Sequence, residues 1–258
     1  MIKPKKLEKG DTIAIVSLSS GMAGDKQFKH RYELGKRRIE ELGLNVVTMQ
    51  NALKGSEFLY NHPEARAKDF MDAIKDRNIK AIISNIGGDD TIRILPYIDF
   101  KSIKQNPKIF LGYSDSTVNH FMMYKAGVSS YYGPSVMSEF AENKKMHEYT
   151  LKYLKEVFFQ NKENIKVISS SKWTSEYLDW SDEKNDNIAR KMKNEKHRVR
   201  NFTGKQIIWR WSSRRVLGCV SNDYWNENMA VKRRMERENI IIRNKWKSHF
   251  SRICWILY

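Results

Sequence analysis

The sequence predicts an α/β protein built on a parallel sheet covered by helices, and three observations lead there. Strand-like runs and helix-like stripes alternate through the first 135 residues. Turn-forming residues crowd the same region: all five prolines and eleven of the thirteen glycines lie at or before Pro134. With 258 residues, 40% of them hydrophobic, the chain can build one large core or two modest ones.

The elements follow in order. Residues 12–16 (Thr-Ile-Ala-Ile-Val) read as a buried first strand, and residues 17–24 as the loop that leaves it. Phe28, Tyr32, Gly35, Ile39 and Leu42 recur at intervals of four and three, which is one face of a helix that Gly43 can end. A second strand is expected at residues 44–47. Pro63 suits the first turn of the next helix, whose apolar stripe is Phe70, Met71 and Ile74. Residues 81–84 form a third strand and residues 108–112 a fourth. After Pro134 only Gly204 and Gly218 punctuate the chain, so a boundary is expected near residues 135–165. Residues 144–159 read as an amphipathic helix with Tyr149, Lys152, Tyr153, Glu156 and Val157 at helical spacing. The highly charged residues 179–200 read as a solvated linker or loop. The first domain is thus Rossmann-like or flavodoxin-like, followed by an incomplete C-terminal α/β domain.

A formal charge of +17 would attract nucleic acid or an anionic membrane. Its distribution argues against either as the main partner. Residues 1–204 carry net +9 among 26 acidic residues, whereas residues 205–258 carry net +8, so half the excess lies in the last fifth. No zinc-finger spacing, RNP-like strand or basic heptad array accompanies the charge. Residues 1–6 lead into no long apolar stretch and no run approaches the ~18 residues of a membrane span, so a cytoplasmic protein is expected. Cys219 and Cys254 make neither a disulfide framework nor a metal-ligand pair and read as free thiols.

Two loops leave the carboxyl ends of predicted strands, where open parallel sheets bind ligands: Asn85-Ile86-Gly87-Gly88-Asp89-Asp90 and Gly112-Tyr113-Ser114-Asp115-Ser116. A serine on a sharp strand-to-helix turn is exposed, and the amide after it sits near the positive end of the next helix, where it can stabilise an oxyanion. Gly87 and Gly88 let a second backbone amide approach a substrate closely. Taken alone, Ser114 and Asp115 equally suit a helix N-cap, and Gly87-Gly88 an ordinary turn. His120, six residues past Ser114, reads as a helix-face histidine rather than a base, and neither His62 nor His30 has a stronger claim.

Four motifs occur in an order that resembles the LD-carboxypeptidase and microcin self-immunity family of serine peptidases. They are residues 9–17 (Lys-Gly-Asp-Thr-Ile-Ala-Ile-Val-Ser), residues 85–91 running on to Leu95-Pro96-Tyr97-Ile98-Asp99, then Gly112-Tyr113-Ser114-Asp115, then Tyr132-Gly133-Pro134. The Gly-Gly-Asp-Asp form is more similar to the microcin self-immunity branch than to the murein-recycling branch. The likeness spans residues 5–211, including Trp209-Arg210-Trp211. It implies hydrolysis through Ser114, with the backbone amides of Gly88 and Asp115 as oxyanion hole and Gly87 and Asp89 binding substrate. The family's histidine removes the serine proton and a glutamate in a Leu-Glu-Thr-Ser motif orients that histidine. Neither motif is present here in frame. The resemblance further implies no metal and no organic cofactor, a small peptide or aminoacyl-nucleotide substrate, and a homodimer, since members of the family are often dimers.

From about Ser212 the family pattern stops and the chain becomes rich in Arg, Trp and Asn. A reading-frame shift accounts for this. Met followed by a residue whose codon begins with G must read as Trp one base forward, and Met229-Ala230 and Met235-Glu236 both qualify. The same shift over residues 225–252, with permitted codons, gives Gly-Thr-Lys-Ile-Trp-Pro-Ser-Lys-Glu-Glu-Trp and then Lys-Ile-Leu-Leu-Leu-Glu-Thr-Ser-Gly, which resembles the missing segment. The rival explanation is a divergent basic extension. The division expected is therefore 1–140 as the nucleophile-bearing domain, 141–204 as linker and start of a second domain, and 205–258 as an aberrant, truncated remnant. On this reading the chain descends from serine carboxypeptidases but lacks the family glutamate and histidine and is inactive. The alternatives are a non-catalytic ligand-binding remnant and, behind it, a basic nucleic-acid-binding protein.

Overall fold

The computed structural model describes residues 1–162, 165–195 and 254–255. Cys219, His197, His249, Trp209 to Trp211 and nearly all of the frame-shifted segment lie outside them.

Among the described residues, six strands make one parallel sheet: β1 (Thr12–Val16), β2 (Asn45–Thr48), β3 (Ile79–Ser84), β4 (Ile109–Gly112), β5 (Tyr131–Tyr132) and, at the edge, the pair Cys254–Trp255. The spatial order begins β2-β1-β3-β4-β5, the flavodoxin-like arrangement the sequence predicts. Each predicted strand lies within two residues of its expected bounds.

The central strands β1, β3 and β4 are largely buried on both faces, so their side chains alternate between two cores, whereas β2 at the edge is partly exposed along its length. Ile13, Ile15, Ala81, Ile83, Ile109 and Leu111 point to one side. They pack there against α1 (Lys29–Glu40), one π-helical turn (Val136–Phe140) and α6 (Glu148–Phe158). Ala14, Val16, Ile82 and Phe110 point to the other side, where α3 (Pro63–Lys75), α4 (Phe100–Gln105) and α5 (Thr117–Lys125) cover them. A short α2 (Ser56–Asn61) precedes α3. Gly43, at φ +87°, follows α1 in the left-handed region open to glycine, and Pro63 is the first residue of α3.

Two expectations shift. The last amphipathic helix starts at Glu148 rather than at 144, because Lys144 has φ +62°, a conformation outside the right-handed helix, and its N–H is bonded to Asp186 O. The buried stripe of α6 is therefore Thr150, Tyr153, Leu154, Val157 and Phe158, with Lys152 exposed. This helix packs into the first core, and Leu7 N–H donates to Phe158 O. The charged stretch, over its described residues 179–195, is largely exposed as expected, yet it is tied down. Asp186 pairs with Arg31 and His30, Arg190 pairs with Glu142, and Trp180 lies 4.2 Å from the Arg31 guanidinium. Among the described residues, no helix is long and apolar enough to cross a membrane.

Candidate active site

Strand order places the site. The chain turns in opposite directions from β1 and β3, which leaves a crevice at their carboxyl ends. The loop after β1 brings Ser19 and Ser20 into that crevice, the loop after β3 brings Gly87 to Asp90, and β4, next in the sheet, brings Ser114.

Tyr113 is still extended, and Ser114 turns abruptly to φ +59° before the helical residues Asp115, Ser116 and α5. A non-glycine residue there is strained, and the turn leaves Ser114 exposed between half-buried Tyr113 and buried Asp115. Its backbone is pinned at both ends: Ser114 N–H donates to Tyr132 Oη at 3.2 Å, and Thr117 Oγ1 donates to Ser114 O at 2.5 Å. A sharp exposed serine between strand and helix has the form of a nucleophile elbow rather than a plain N-cap, and no side-chain cap opens the turn.

Gly87 faces this serine. A methyl group at Gly87 would stand 2.9 Å from Ser114 Cβ, 3.1 Å from its Oγ and 3.2 Å from Asp115 N, so only a bare backbone keeps the space beside the hydroxyl open. Gly88, at φ +158°, is pressed against the β1 loop, where a side chain would meet Ser19 Oγ at 2.2 Å. Ser20 N–H donates to Gly87 O. The expected meeting of Ser114 with the Gly87-Gly88 turn is therefore present. Asp115 lies in the first helical turn, where backbone N–H groups are left over. Its buried carboxylate accepts from Ser19 Oγ at 2.6 Å and Thr91 N at 2.8 Å, fastening the three loops together. Asp89 is exposed, and no hydrogen bond or ion pair fixes it among the described residues.

Sequence reasoning passed over Asp90, which is the better-anchored aspartate. It takes both Arg66 terminal nitrogens at 2.7 and 3.1 Å and Arg93 Nη1 at 3.1 Å. Arg66 is fully buried and also donates to Leu18 O and Ser19 O. Nothing in the local pattern of α3 marked it, since an arginine among helical polar residues reads as surface. Removing one partner of a buried pair strands a charge, so Asp90→Ala is expected to lower stability by about 3–5 kcal/mol. Urea unfolding of the full chain checks this, and a loss under about 1 kcal/mol would deny the pair its role.

The histidine reading holds. His120 is buried, with Nε2–H donating to Gly112 O at 2.9 Å and Nδ1 accepting from Ser130 Oγ at 2.8 Å. Burial holds its pKa down, to about 4, so it is neutral and both ring nitrogens are occupied. Among the described residues no histidine is hydrogen-bonded to Ser114 Oγ: His30 binds Asp186, His62 binds Glu64, and His147 pairs with Glu142. Among them, too, no cluster of three or more His, Cys, Asp or Glu could hold a metal.

Beyond Ser114 a polar wall was missed. Tyr113 Oη lies 2.9 Å from Ser138 Oγ, Ser135 Oγ donates to Ser138 Oγ, and the half-buried Glu139 carboxylate accepts from Ser135 N at 3.0 Å and bonds to Tyr113. Burial pushes Glu139 up to about 7. The one available signal was proximity to the Tyr132-Gly133-Pro134 motif.

Comparison with known proteins agrees with this geometry. Residues 13–133 match the family described as LD-carboxypeptidase N-terminal domain. A putative carboxypeptidase of Bacillus subtilis, YocD, is 34% identical over 173 residues, 66% of this chain and 51% of that protein. The microcin C7 self-immunity protein MccF of Escherichia coli is 28% identical over 177 residues, 68% of this chain and 51% of that protein. Among solved structures, an MccF-like protein from Streptococcus pneumoniae in complex with AMP superimposes with a TM-score of 0.66 at 39% identity, over 72% of this chain and 55% of that one. The chain spans about half the length of the curated relatives it matches. Residues 13–133, with their flavodoxin-like sheet and the Gly87-Gly88 turn against Ser114, thus form a domain of the LD-carboxypeptidase N-terminal family.

Proposed function

We propose that this domain presents Ser114 as the nucleophile of a serine-type hydrolase that cleaves an amide bond in a murein peptide or an aminoacyl-nucleotide. The observation that carries the reading is the strained, exposed Ser114 at φ +59° with the bare Gly87 beside its hydroxyl. Ser114 Oγ would add to the amide carbonyl carbon, and its proton would pass to a base. The N–H groups of Gly88 and Asp115 would stabilise the tetrahedral oxyanion, with Gly87 and Asp89 lining the substrate. Collapse expels the amine, which takes the proton, and water then hydrolyses the acyl-serine. This chemistry needs no metal or organic cofactor. In the same reading the protein works in the cytoplasm as a homodimer.

A second reading, a binding protein that keeps the cleft without turnover, is favoured by the lack of any histidine on Ser114 Oγ among the described residues. Binding separates these readings from a nucleic-acid role. The full chain is expected to bind an LD-linked peptide or an aminoacyl-nucleotide saturably, with affinity changing little with salt. Isothermal titration from 50 to 200 mM salt checks this. A loss of duplex-DNA affinity of about 10³-fold or more over that range, with no binding of either small ligand, would replace both readings with a phosphate-binding one.

A further inference from the structure

We propose that Glu139 is a specificity-determining residue whose carboxylate takes a free ammonium group of the substrate held at Ser114; this rests on the reading of Ser114 given above. Glu139 lies in the π-helical turn Val136–Phe140, an irregularity that recurs at functional sites. The turn aims its carboxylate at Tyr113, the residue directly before the serine, and the Tyr113 ring lies 6.4 Å from that of Tyr132, whose hydroxyl receives the Ser114 N–H. The wall that holds Glu139 is thus the wall that holds the elbow.

What Glu139 lacks points to a ligand. A carboxylate offers about four acceptor sites, and here three neutral donors, the backbone N–H groups of Ser135 and of Glu139 itself and the Tyr113 hydroxyl, engage it, none of them carrying a charge. The neighbouring cations are spent elsewhere. From α1, Arg31 donates to Met137 O and Asp186, and Arg38 to the carbonyls of Phe140 and Glu142. Arg190 and His147 pair with Glu142. Glu142 is itself buried, which pushes its carboxyl upward, but hydrogen bonds from His147 and Arg190 prevail and hold it at about 2. Glu139 has no such partner among the described residues, and burial beside the charged Glu142 leaves it near 7. An ionised carboxylate in a half-buried site without a counter-charge is costly, and a ligand ammonium would relieve that cost through a charge-assisted hydrogen bond.

The test uses the full chain and two probes, aspartyl sulfamoyl adenosine with its free amine and the N-acetylated form of the same compound. Wild type is expected to bind the free amine about 10- to 100-fold more tightly, and E139Q to lose that preference while holding the acetylated probe as before. A second measurement needs no variant. Because the ammonium requires the ionised carboxylate, affinity for the free amine should be full above Glu139's pKa and fall as pH drops from 7 to 5.5, with the acetylated probe flat. Equal binding of both probes by wild type, an unchanged preference in E139Q, or a flat amine profile would overturn the inference and leave the Ser114 reading standing. Failure of both probes to bind would remove the aminoacyl-nucleotide cleft and this inference with it.

Discussion

Ser114→Ala in a frame-restored protein is expected to lower kcat by about four to six orders of magnitude while substrate affinity stays within about threefold. The size follows from what is removed. Without Oγ no acyl-serine forms, and what remains is attack by water helped by oxyanion donors alone. The selectivity for kcat follows from the structure. Ser114 is exposed, and the two hydrogen bonds that hold its backbone, to Tyr132 Oη and from Thr117 Oγ1, use its main-chain N–H and C=O rather than its side chain. Alanine at φ +59° keeps the same turn, and Gly87 stays open beside it. Single-turnover kinetics on an LD-linked peptide, with binding measured separately, gives both numbers. Turnover within tenfold of the parent would show that another residue does the chemistry.

Much of this domain was legible because its determinants are local. Ile13 to Val16 and Ile109 to Leu111 are unbroken apolar runs, which is how strands buried on both faces read. Gly87 and Ser114 were legible through the ordered run of motifs around them, since by type alone a doubled glycine also suits an ordinary turn and Ser114 a helix N-cap. The contacts between distant segments were not legible. Arg66 meets Asp90 across 24 residues, Ser19 meets Asp115 across 96, and Arg31 meets Asp186 across 155, and none of these partners leaves a periodic trace. The start of α6 was misplaced for the same reason. Residues 144–147 fit a helical stripe, but the contact of Lys144 N–H with Asp186 O diverts them. Glu139 was missed because a glutamate between Ser138 and Phe140 reads as surface, and only the packed π-turn gives it a buried setting.

The 258-residue chain itself is expected to hydrolyse at no more than a trace rate, far below a version restored to the family frame after residue 211. Serine is a weak nucleophile at neutral pH unless a positioned base removes its proton. The four described histidines cannot serve as they stand. His120 is neutral with both nitrogens occupied, while His30, His62 and His147 are held by Asp186, Glu64 and Glu142. His197 and His249 lie outside the described residues, and the flanks of His249, Lys247-Ser248 and Phe250-Ser251, match no histidine motif of the family. What would persist is the oxyanion hole proposed at the Gly88 and Asp115 amides, and such a remnant sustains roughly 10³- to 10⁴-fold acceleration over water when a triad is broken. Assayed side by side on an LD-linked peptide and an aminoacyl-nucleotide, the restored protein should turn over at least about a hundredfold faster on one of them. Comparable turnover by the two would mean that a base reaches Ser114 from residues this chain already encodes, and would make His249 the first candidate for replacement by alanine.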